Sequence, residues 1–436
     1  MTSDIDRKKL VIIGAGFGGI AAAKALKHAP MDIEIIDRRN YHLFQPLLYQ
    51  VATADLSPAD IAWPIRSMFA AQKNVAVTMS EVIGINRTAK IVTTADKDIA
   101  YDYLIIATGA EHSYFGNDAW ADHAPGLKKL VDATEIRRRI LLAFEQAELS
   151  DDPVEQARHM TFAVVGAGPT GVELAGAIAE LAHFTLAKDF RKIRPQDARV
   201  ILIEAGPRVL ASFPEDLSDK AHHALEELGV EVALNSMVKD IQSDCVKTAK
   251  EEIPCSTSLW AAGVQVPSIG TWLKVETDRA GRVPVLEDLR ITPEEPIFVI
   301  GDAASVPWER DHFVPGIAPA AKQMGAYAAN VIKSEIANTT PPTAFKYKHA
   351  GNLATIGRNA AVIDFGWIKL SGRLAWWLWG IAHIYFLIGV RQPILVAINW
   401  FWSYLTYSKG ARLITGAKSQ QEYKTTKHKS KTTNRK

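Results

Sequence analysis

A glycine-rich turn that occurs twice is the feature that most constrains how this 436-residue chain can fold. Each copy has an apolar stretch before the turn and an alanine-rich stretch after it, at 10–26 and again at 162–181. This order is typical of a strand, a tight turn and a helix. A second apolar stretch follows each copy and ends in an acid, Asp37 in the first and Glu204 in the second. The sequence therefore predicts an α/β fold with two Rossmann-like dinucleotide-binding domains.

The second copy lies between two further strand-plus-glycine segments, 103–109 and 297–302, which flank it almost symmetrically. We therefore expect the second domain, residues 111–285, to be inserted into a discontinuous first domain, residues 1–110 and 286–342. The alternating residues of 343–373 predict a small β element. Beyond it we expect membrane-anchoring helices over 374–416 and a basic, disordered tail over 417–436.

The first glycine loop has the spacing of a phosphate-binding turn. Gly14 permits the tight turn, Gly16 lets the backbone approach a pyrophosphate, and Gly19 lets the helix pack closely on the strand. Asp37 follows Gly14 by 23 residues, near the spacing expected for an acid on a ribose hydroxyl. A glycine turn of no special function is the alternative, but the strand, the helix and the acid together favour a dinucleotide site.

Asp302, which follows Gly301 late in the chain, has two interpretations. An acid at the carboxyl end of a late strand of the same sheet can reach the sugar-like chain of a flavin. It can equally be the N-cap of a helix that begins at Ala303. From the residues alone both interpretations stay open.

The second loop repeats the phosphate argument with Gly166, Gly168 and Gly171. Glu204 is expected to accept a hydrogen bond from the 2′-hydroxyl of NADH and to repel a 2′-phosphate. The sequence therefore predicts a preference for NADH over NADPH, which the nearby Arg208 weakens without reversing.

Glu173 follows the last glycine of the second loop by two residues. Its spacing favours a structural role in which the acid complements the positive end of the helix dipole. The alternative is a position at the contact between a nicotinamide and a flavin.

The C-terminal region differs sharply in composition from the rest of the chain. Residues 374–407 contain ten aromatic residues, against 8% aromatic residues in the whole sequence. The stretch 374–390 is apolar on every face, but at 17 residues it is shorter than the roughly 20 that a spanning helix needs. A second apolar stretch, 394–407, carries a narrow polar stripe. With the basic tail, these features predict two helices on one leaflet of the lipid bilayer and no array of spans for proton pumping. A buried core helix or a homodimer interface is the alternative.

Composition argues against several other classes of protein. The formal net charge of +2 gives no reason to expect nucleic acid as a partner, and no metal site is predicted. The only cysteines, Cys245 and Cys255, form neither a CxxC pair nor a disulfide framework, which disfavours transfer of electrons through a disulfide. The short apolar stretch at the N-terminus does not resemble a signal peptide, so we expect a protein on the cytoplasmic side.

Several longer segments closely resemble type II NADH dehydrogenases, which belong to the flavin disulfide-reductase superfamily. They are DRRNYHLFQPLLYQVAT (37–53), GAGPTGVELAG (166–176), AAGV (261–264), VIGDAA (299–304), GNLATIGRNAAVIDFG (351–366) and HIYFLIG (383–389). The glycine motifs occur throughout the superfamily, whereas the YHLFQPLLYQ block and the aromatic C-terminus are far more specific. The resemblance runs from Leu10 to Gly416 in the right order.

This resemblance implies that electrons pass from NADH through FAD to a membrane quinone, on the cytoplasmic face of the cell membrane and without proton pumping. It implies FAD in the first domain, at Gly14, Ala15, Gly16, Phe17, Gly18, Gly19, Asp37, Arg38, Gln45, Thr108, Gly109, Gly301, Asp302, Ala318 and Pro319. It implies NADH in the second, at Gly166, Gly168, Pro169, Thr170, Gly171, Glu204, Ala262 and Gly263. Glu173 and Gln323 are the implied catalytic residues.

One segment departs from the family pattern. Many members have an Ala-Gln pair beside the flavin and the quinone, with a second glutamine four residues later. Here Pro319 follows Ala318, while Gln323 keeps the second position. Because Pro319 lacks a backbone donor, the family's quinone contacts are not carried over to it. A soluble reductase that feeds a protein electron carrier and a non-catalytic, NADH-sensing membrane flavoprotein stay open as alternatives.

Overall fold

The computed structural model describes residues 7–309, 312–387, 391–406 and 409–415. They form two compact units, each assembled from three stretches of chain. The described residues within 1–43, 62–111 and 264–350 form unit 1, and those within 44–61, 112–263 and 351–436 form unit 2. Two segments therefore belong to a different unit from the one that the sequence-based boundaries gave them. Residues 264–285 join unit 1 because Val266, Ile269 and Leu273 are buried in its core, and residues 44–61 pack with helices of unit 2.

The helices are short to medium in length and are spread along the whole described chain. They are α1 (Phe17–Ala25), α2 (Leu48–Ala52), α3 (Pro58–Ile61), α4 (Ile65–Phe69), α5 (Leu130–Leu149), α6 (Pro153–His159), α7 (Pro169–Glu180), α8 (Glu215–Glu227), α9 (Ile269–Leu273), α10 (Ala318–Ile336), α11 (Gly372–Phe386) and α12 (Arg391–Thr406).

The strands are mostly three to seven residues long. They are β1 (Lys8–Ile13), β2 (Met31–Asp37), β3 (Tyr41–Leu43), β4 (Ala62–Pro64), β5 (Val75–Met79), β6 (Val82–Asn86), β7 (Ile91–Thr94), β8 (Asp98–Ala100), β9 (Tyr103–Ile106), β10 (Glu111–His112), β11 (Thr161–Val165), β12 (Arg199–Ile203), β13 (Val230–Ala233), β14 (Val238–Ile241), β15 (Cys245–Thr248), β16 (Glu252–Pro254), β17 (Thr257–Trp260), β18 (Val264–Gln265), β19 (Val283–Pro284), β20 (Ile297–Val299), β21 (Ala304–Ser305), β22 (Asn352–Thr355), β23 (Ala361–Asp364) and β24 (Lys369–Ser371).

Unit 1 is built on a parallel sheet with the strand order β20–β9–β1–β2–β5. The central strand, β1, is buried from Leu10 to Ile13. A strand covered on both faces reads as a continuous apolar stretch, which explains the absence of polar residues at 10–13. Helix α1 leaves the carboxyl end of β1 and packs directly on α10, where a side chain at Gly325 would overlap the carbonyl oxygen of Gly18.

Unit 2 repeats this arrangement with the parallel order β13–β12–β11–β17. Strand β11 takes the place of β1, and α7 takes the place of α1. The repeat in the sequence is therefore a repeat in the structure, and the predicted α/β fold with two Rossmann-like sheets is confirmed. A separate antiparallel sheet, β14–β15–β16, follows β13.

The C-terminal part of unit 2 contains a small sheet and two helices. The antiparallel sheet β22–β23–β24 lies within the predicted β element, and α11 packs on it. Helices α11 and α12 begin two or three residues before the predicted apolar stretches. Residues 388–390 and 407, and the predicted tail at 417–436, lie outside the described residues. Of the helices that the structure describes, none is long and apolar enough to cross a bilayer.

Candidate functional site

The first glycine loop connects β1 to α1 and leaves no room for side chains at two positions. Gly14 has a φ of +100°, and a Cβ atom there would overlap the carbonyl oxygen of Ala107. A Cβ atom on Gly19 would overlap the carbonyl oxygen of Gly14. The turn and the contact between helix and strand therefore both require glycine, as the sequence predicted.

The N-terminal end of α1 has the features of an anion site. Gly16 is the N-cap residue and makes no side-chain capping bond, so the first N–H groups of the helix have no side-chain acceptor there. A Cβ atom on Gly16 would have its nearest neighbour, the carbonyl oxygen of Ala107, 4.0 Å away. This open space beside N–H donors at the positive end of the helix dipole fits a dinucleotide pyrophosphate.

Asp37, at the end of β2, is held in place by the loop itself. Its Oδ2 accepts a hydrogen bond of 2.8 Å from the N–H of Ala15, and its Oδ1 accepts one of 2.8 Å from the N–H of Arg39. Each oxygen keeps a lone pair, so the carboxylate can also accept from a ribose hydroxyl. The side chain of Arg38 forms an ion pair with Glu111 of the same unit.

Predicted FAD residues also follow the carboxyl ends of two further strands of this sheet. Thr108 and Gly109 follow β9, and Gly109 has a φ of +70°. Gly301, also with a φ of +70°, follows β20. Asp302 lies in a 3-10 turn, Gly301–Ala303, which leads into β21. Asp302 is therefore not the N-cap of a helix that begins at Ala303, because no α-helix begins there.

Helix α10 begins with two of the predicted FAD residues, Ala318 and Pro319. Proline is well tolerated here because the first N–H groups of a helix have no partner within the helix. One turn later both ends of the Gln323 amide bind the backbone of Lys348: Nε2 donates to the carbonyl oxygen at 2.9 Å, and Oε1 accepts from the N–H at 2.9 Å. These two hydrogen bonds hold the backbone at Lys348. The catalytic role of Gln323 stays a prediction. The remaining predicted FAD residue, Gln45, begins a 3-10 helix in unit 2.

The second loop, between β11 and α7, has the same construction as the first. Gly166 has a φ of +100°, and a Cβ atom there would lie 2.8 Å from the Cα atom of Ala262. A Cβ atom on Gly171 would overlap the carbonyl oxygen of Gly166. Gly168 is the N-cap residue of α7, and a Cβ atom there would meet nothing within 4 Å. The first turn of α7, which includes Pro169 and Thr170, therefore offers the same open anion site.

Glu204 occupies the position that Asp37 has in the first loop. Its Oε2 accepts a hydrogen bond of 2.7 Å from the N–H of Ala167, and its Oε1 accepts one of 2.7 Å from the N–H of Gly206. The guanidinium group of Arg208 points to its own loop, donating to the carbonyl oxygens of Phe213 at 2.9 Å and Ala211 at 2.8 Å. Arg208 was expected to weaken the preference for NADH over NADPH. Its hydrogen bonds do not support this effect, because they engage the guanidinium group with backbone carbonyl oxygens.

The strand beside the second loop ends at Trp260 and is followed by the remaining predicted NADH residues, Ala262 and Gly263. Ala262 packs on Gly166 and leaves no room for a side chain there. Gly263 has a φ of +79°, and a Cβ atom there would lie 2.4 Å from the ring of Phe115. Gly166 and Gly263 therefore both require glycine.

Glu173 lies beyond the first turn of α7, which contains no acid. Because the dipole effect fades within one turn, the dipole role that the spacing favoured is wrong. Glu173 is half-buried. Burial raises its pKa to about 8, although a hydrogen bond from the backbone N–H of Thr355 opposes the shift. Burial also raises the pKa of Tyr49, in the same unit, and the charge of Glu173 adds to that rise.

Unit 2 contains a buried ion pair that was not predicted from the sequence. Lys409 Nζ lies 2.9 Å from Asp55 Oδ2, and only 1% of the Lys409 side chain is exposed. Glu180, at the end of α7, lies close enough to Lys409 for the ammonium to lower its pKa, but burial is stronger and leaves the pKa raised. Lys409 lies in the segment 374–416 that was expected to anchor the protein to the membrane, and no role was predicted for it. No local signal in the sequence marks it as a buried cation.

Comparisons with known proteins agree with this construction. Residues 8–325 match the pyridine nucleotide-disulphide oxidoreductase family, and residues 349–407 match the NDH2 C-terminal domain. Two proteins of Mycobacterium tuberculosis, named type II NADH:quinone oxidoreductases Ndh and NdhA, are 44% and 45% identical to this chain; each alignment covers 94% of this chain and 90% of the relative.

Solved structures show the same fold. NDH2 from Plasmodium falciparum, solved in complex with RYL-552, has a TM-score of 0.85 at 22% identity, covering 94% of this chain and all of the other. The sulfide:quinone oxidoreductase of Aquifex aeolicus has a TM-score of 0.70 at 23% identity, covering 87% and 90% of the two chains. The chain therefore belongs to the type II NADH:quinone oxidoreductases, within the pyridine nucleotide-disulphide oxidoreductase family.

Proposed function

We propose that this protein oxidises NADH and reduces a quinone without pumping protons, with FAD bound at the first glycine loop and NADH at the second. The observation that carries the proposal is the pair of equivalent loops, each with an open helix N-terminus and an acid fixed to the loop's alanine amide. Bound FAD would supply the redox chemistry by taking hydride from the nicotinamide and passing electrons to the quinone. The names of the Mycobacterium tuberculosis relatives support the same reaction.

The nucleotide is NADH because the second loop presents an acid and no available cation. A 2′-phosphate would bring negative charge against Glu204, while Arg208 is engaged by carbonyl oxygens of its own loop. We expect turnover with NADH and a short-chain quinone to exceed turnover with NADPH by about 100-fold or more, the equivalent of roughly 3 kcal/mol. Glu204→Ala should narrow this gap. Steady-state kcat/KM values for both nucleotides provide the measurement.

Equal kcat/KM for NADH and NADPH in the parent protein would contradict the nucleotide assignment. NADH-dependent reduction of a protein electron carrier, with no reduction of quinone, would favour the soluble reductase instead. Tight binding of both cofactors with negligible turnover would favour the NADH sensor.

Glu173 holds a proton at neutral pH in this proposal and supplies it to the quinone half-reaction. NADH delivers two electrons and one proton as hydride, whereas a quinone needs two electrons and two protons, so one proton must come from solution. A carboxyl group with a pKa of about 8 is protonated below that pH and can donate its proton. The rate of quinone reduction should therefore fall as the pH rises through about 8.

The variant Glu173→Gln should keep bound FAD and its reduction by NADH, but slow reoxidation by quinone by roughly 100-fold, with no inflection near pH 8. Stopped-flow absorbance of the flavin separates the two half-reactions. Parental rates in both half-reactions across pH 6 to 9 would show that Glu173 has no part in proton transfer.

The C-terminal helices are proposed to rest on one leaflet of the membrane, on the cytoplasmic face. Both helices expose large apolar side chains in a helical stripe, while Ala375, Trp379 and Val396 are buried. The exposed residues are Leu374, Trp377, Ile381 and Tyr385 on α11, with Ile394, Ile398, Phe401 and Trp402 on α12. Each large apolar side chain contributes roughly 1.5–3 kcal/mol when fully buried, so partial insertion of eight is enough for stable attachment.

Charged substitutions on this stripe should release the protein from membranes. We expect the double variant Ile381→Asp and Ile398→Asp to sediment with anionic vesicles at least about tenfold less well than the parent. Val154→Asp is the matched control, because Val154 on α6 is 76% exposed and apolar as well. High salt should weaken parental binding without abolishing it. Complete release by salt alone, or a stable soluble homodimer that buries the stripe, would contradict insertion.

A further inference from the structure

We propose that His42 is a positioning residue of the first glycine loop, which holds the carbonyl group of Ala15 and so shapes the phosphate-binding turn before FAD binds. This inference rests on the proposed FAD site. It assigns a role to a residue of the YHLFQPLLYQ block that the expected FAD contacts did not include.

The contact itself is direct. His42 lies in β3, and its Nδ1 is 2.9 Å from the carbonyl oxygen of Ala15. Because a carbonyl oxygen only accepts hydrogen bonds, Nδ1 carries the proton. The N–H group of Ala15 donates in turn to Asp37. Both backbone groups of Ala15 are therefore held by side chains, one from β2 and one from β3.

The imidazole ring also packs on the start of α1. It makes an edge-to-face contact with the ring of Phe17, the first residue of the helix, with the ring centroids 5.0 Å apart and an angle of 89° between the planes. Gly16, whose backbone the pyrophosphate must approach, lies between the two residues that His42 contacts. One side chain therefore supports the turn on both sides of the proposed phosphate position.

His42 is suited to holding this position and unsuited to binding the phosphate itself. Only 3% of the residue is exposed, and Nε2 is buried with no hydrogen-bond partner among the described residues. Burial, with the charges of Lys322 on α10 and Lys24 on α1, lowers its pKa to about 4. The ring is consequently neutral at physiological pH. Lys322 also contacts Phe17, through a cation–π interaction in which Nζ lies 5.2 Å from the centroid of the ring.

In the second glycine loop the main chain holds the equivalent carbonyl group. The N–H of Ala167 donates to Glu204, but its carbonyl oxygen accepts a 2.8 Å hydrogen bond from the backbone N–H of Leu210. The alanine carbonyl group of the first loop is thus held by His42, while that of the second loop is held by the main chain. Substitution of His42 should therefore weaken the binding of FAD and spare that of NADH.

The experiment compares FAD affinity in three variants of the full-length protein. Flavin is removed, and the dissociation constant is measured by quenching of flavin fluorescence on reconstitution. His42→Ala leaves the Ala15 carbonyl without its donor and should weaken FAD binding by roughly 10- to 100-fold. His42→Asn can place an amide N–H near the position of Nδ1, so its affinity should stay within a few-fold of the parent. His28→Ala, at an exposed histidine of the same unit, should change nothing.

NADH affinity, measured calorimetrically on the same apoproteins, should be unchanged in all three variants. Parental FAD affinity in His42→Ala would overturn the proposal. Equal weakening of FAD and NADH binding by His42→Ala would also overturn it, because the residue would then support the fold in general. Failure of the parent and of His28→Ala to bind FAD at all would instead overturn the proposed function.

Discussion

Alanine at position 171 is expected to abolish NADH binding while FAD stays bound. A Cβ atom there would overlap the carbonyl oxygen of Gly166 and lie 3.3 Å from Cβ of Ala261. The first of these is a backbone atom that cannot rotate away, so α7 must move away from β11 and carry its N-terminal amides off the pyrophosphate. We expect at least about a 100-fold loss of NADH affinity, together with a loss of roughly 1–3 kcal/mol in the free energy of unfolding from the forced separation. Calorimetry with NADH and flavin absorbance measure the two sites independently.

Alanine substitutions at two other glycines serve as controls. They distinguish a loss of NADH affinity caused by steric overlap within the protein from one caused by a methyl group in the phosphate position. A Cβ atom on Gly168 meets nothing within 4 Å, so Gly168→Ala should leave the free energy of unfolding unchanged and still weaken NADH binding, because the methyl group enters the space of the pyrophosphate. A Cβ atom on Gly84, in β6, also meets nothing within 4 Å, and Gly84→Ala should affect neither property. If Gly171→Ala binds NADH as tightly as the parent protein does, the second loop is not part of the nucleotide site.

Methionine at position 409 is expected to lower the free energy of unfolding by about 3–5 kcal/mol. It removes the ammonium group that pairs with Asp55, and so leaves the half-buried carboxylate of Asp55 and the buried carboxyl group of Glu180 without that cation. Methionine fills a similar volume, so the loss reports on charge rather than on a cavity. Urea denaturation followed by circular dichroism provides the measurement.

A surface ion pair in the same unit serves as the control. Lys369 Nζ lies 2.7 Å from Asp216 Oδ1, and the two side chains are 45% and 51% exposed. Because exposed pairs contribute roughly 0–1 kcal/mol, Lys369→Met should have little effect. Adding Asp55→Asn to Lys409→Met should restore part of the lost stability, since it removes the carboxylate charge that Lys409 neutralised. Similar losses for Lys409→Met and Lys369→Met would show that burial does not strengthen the Lys409 pair.

The Lys409 pair belongs to a larger set of contacts between the C-terminal helices and residues 44–61. The indole N–H of Trp400 on α12 donates to Gln50 Oε1 at 2.8 Å, and Trp400 stacks on Trp379 of α11 at 5.5 Å between ring centroids. Gln50 donates in turn to the hydroxyl of Tyr49 at 3.0 Å. The helices proposed to lie on the membrane are therefore joined by polar contacts to the segment that contains Tyr49. This arrangement explains why residues 44–61 group with unit 2.

Much of both glycine loops was predictable because their chemistry is local. Gly14 and Gly166 have the same φ of +100°, a conformation that almost only glycine adopts, so the requirement is visible in the sequence. The acids Asp37 and Glu204 end the next strand, and parallel pairing places them beside their loops whatever the rest of the chain does. The two apolar helices at the C-terminus were likewise predictable from their composition, and both expose large apolar side chains in the structure.

The sequence by itself determined the duplicated strand–turn–helix units, the acids that follow them and the apolar C-terminal helices, since each depends on neighbours within a few dozen residues. The tertiary structure alone decided the states of Glu173, His42 and Lys409. Glu173 has a pKa near 8, His42 is a neutral buried imidazole, and Lys409 is a buried ammonium. These states arise from desolvation and from partners far away in the chain. Desolvation depends on which residues bury a group. Residue spacing along the sequence does not show which residues those are.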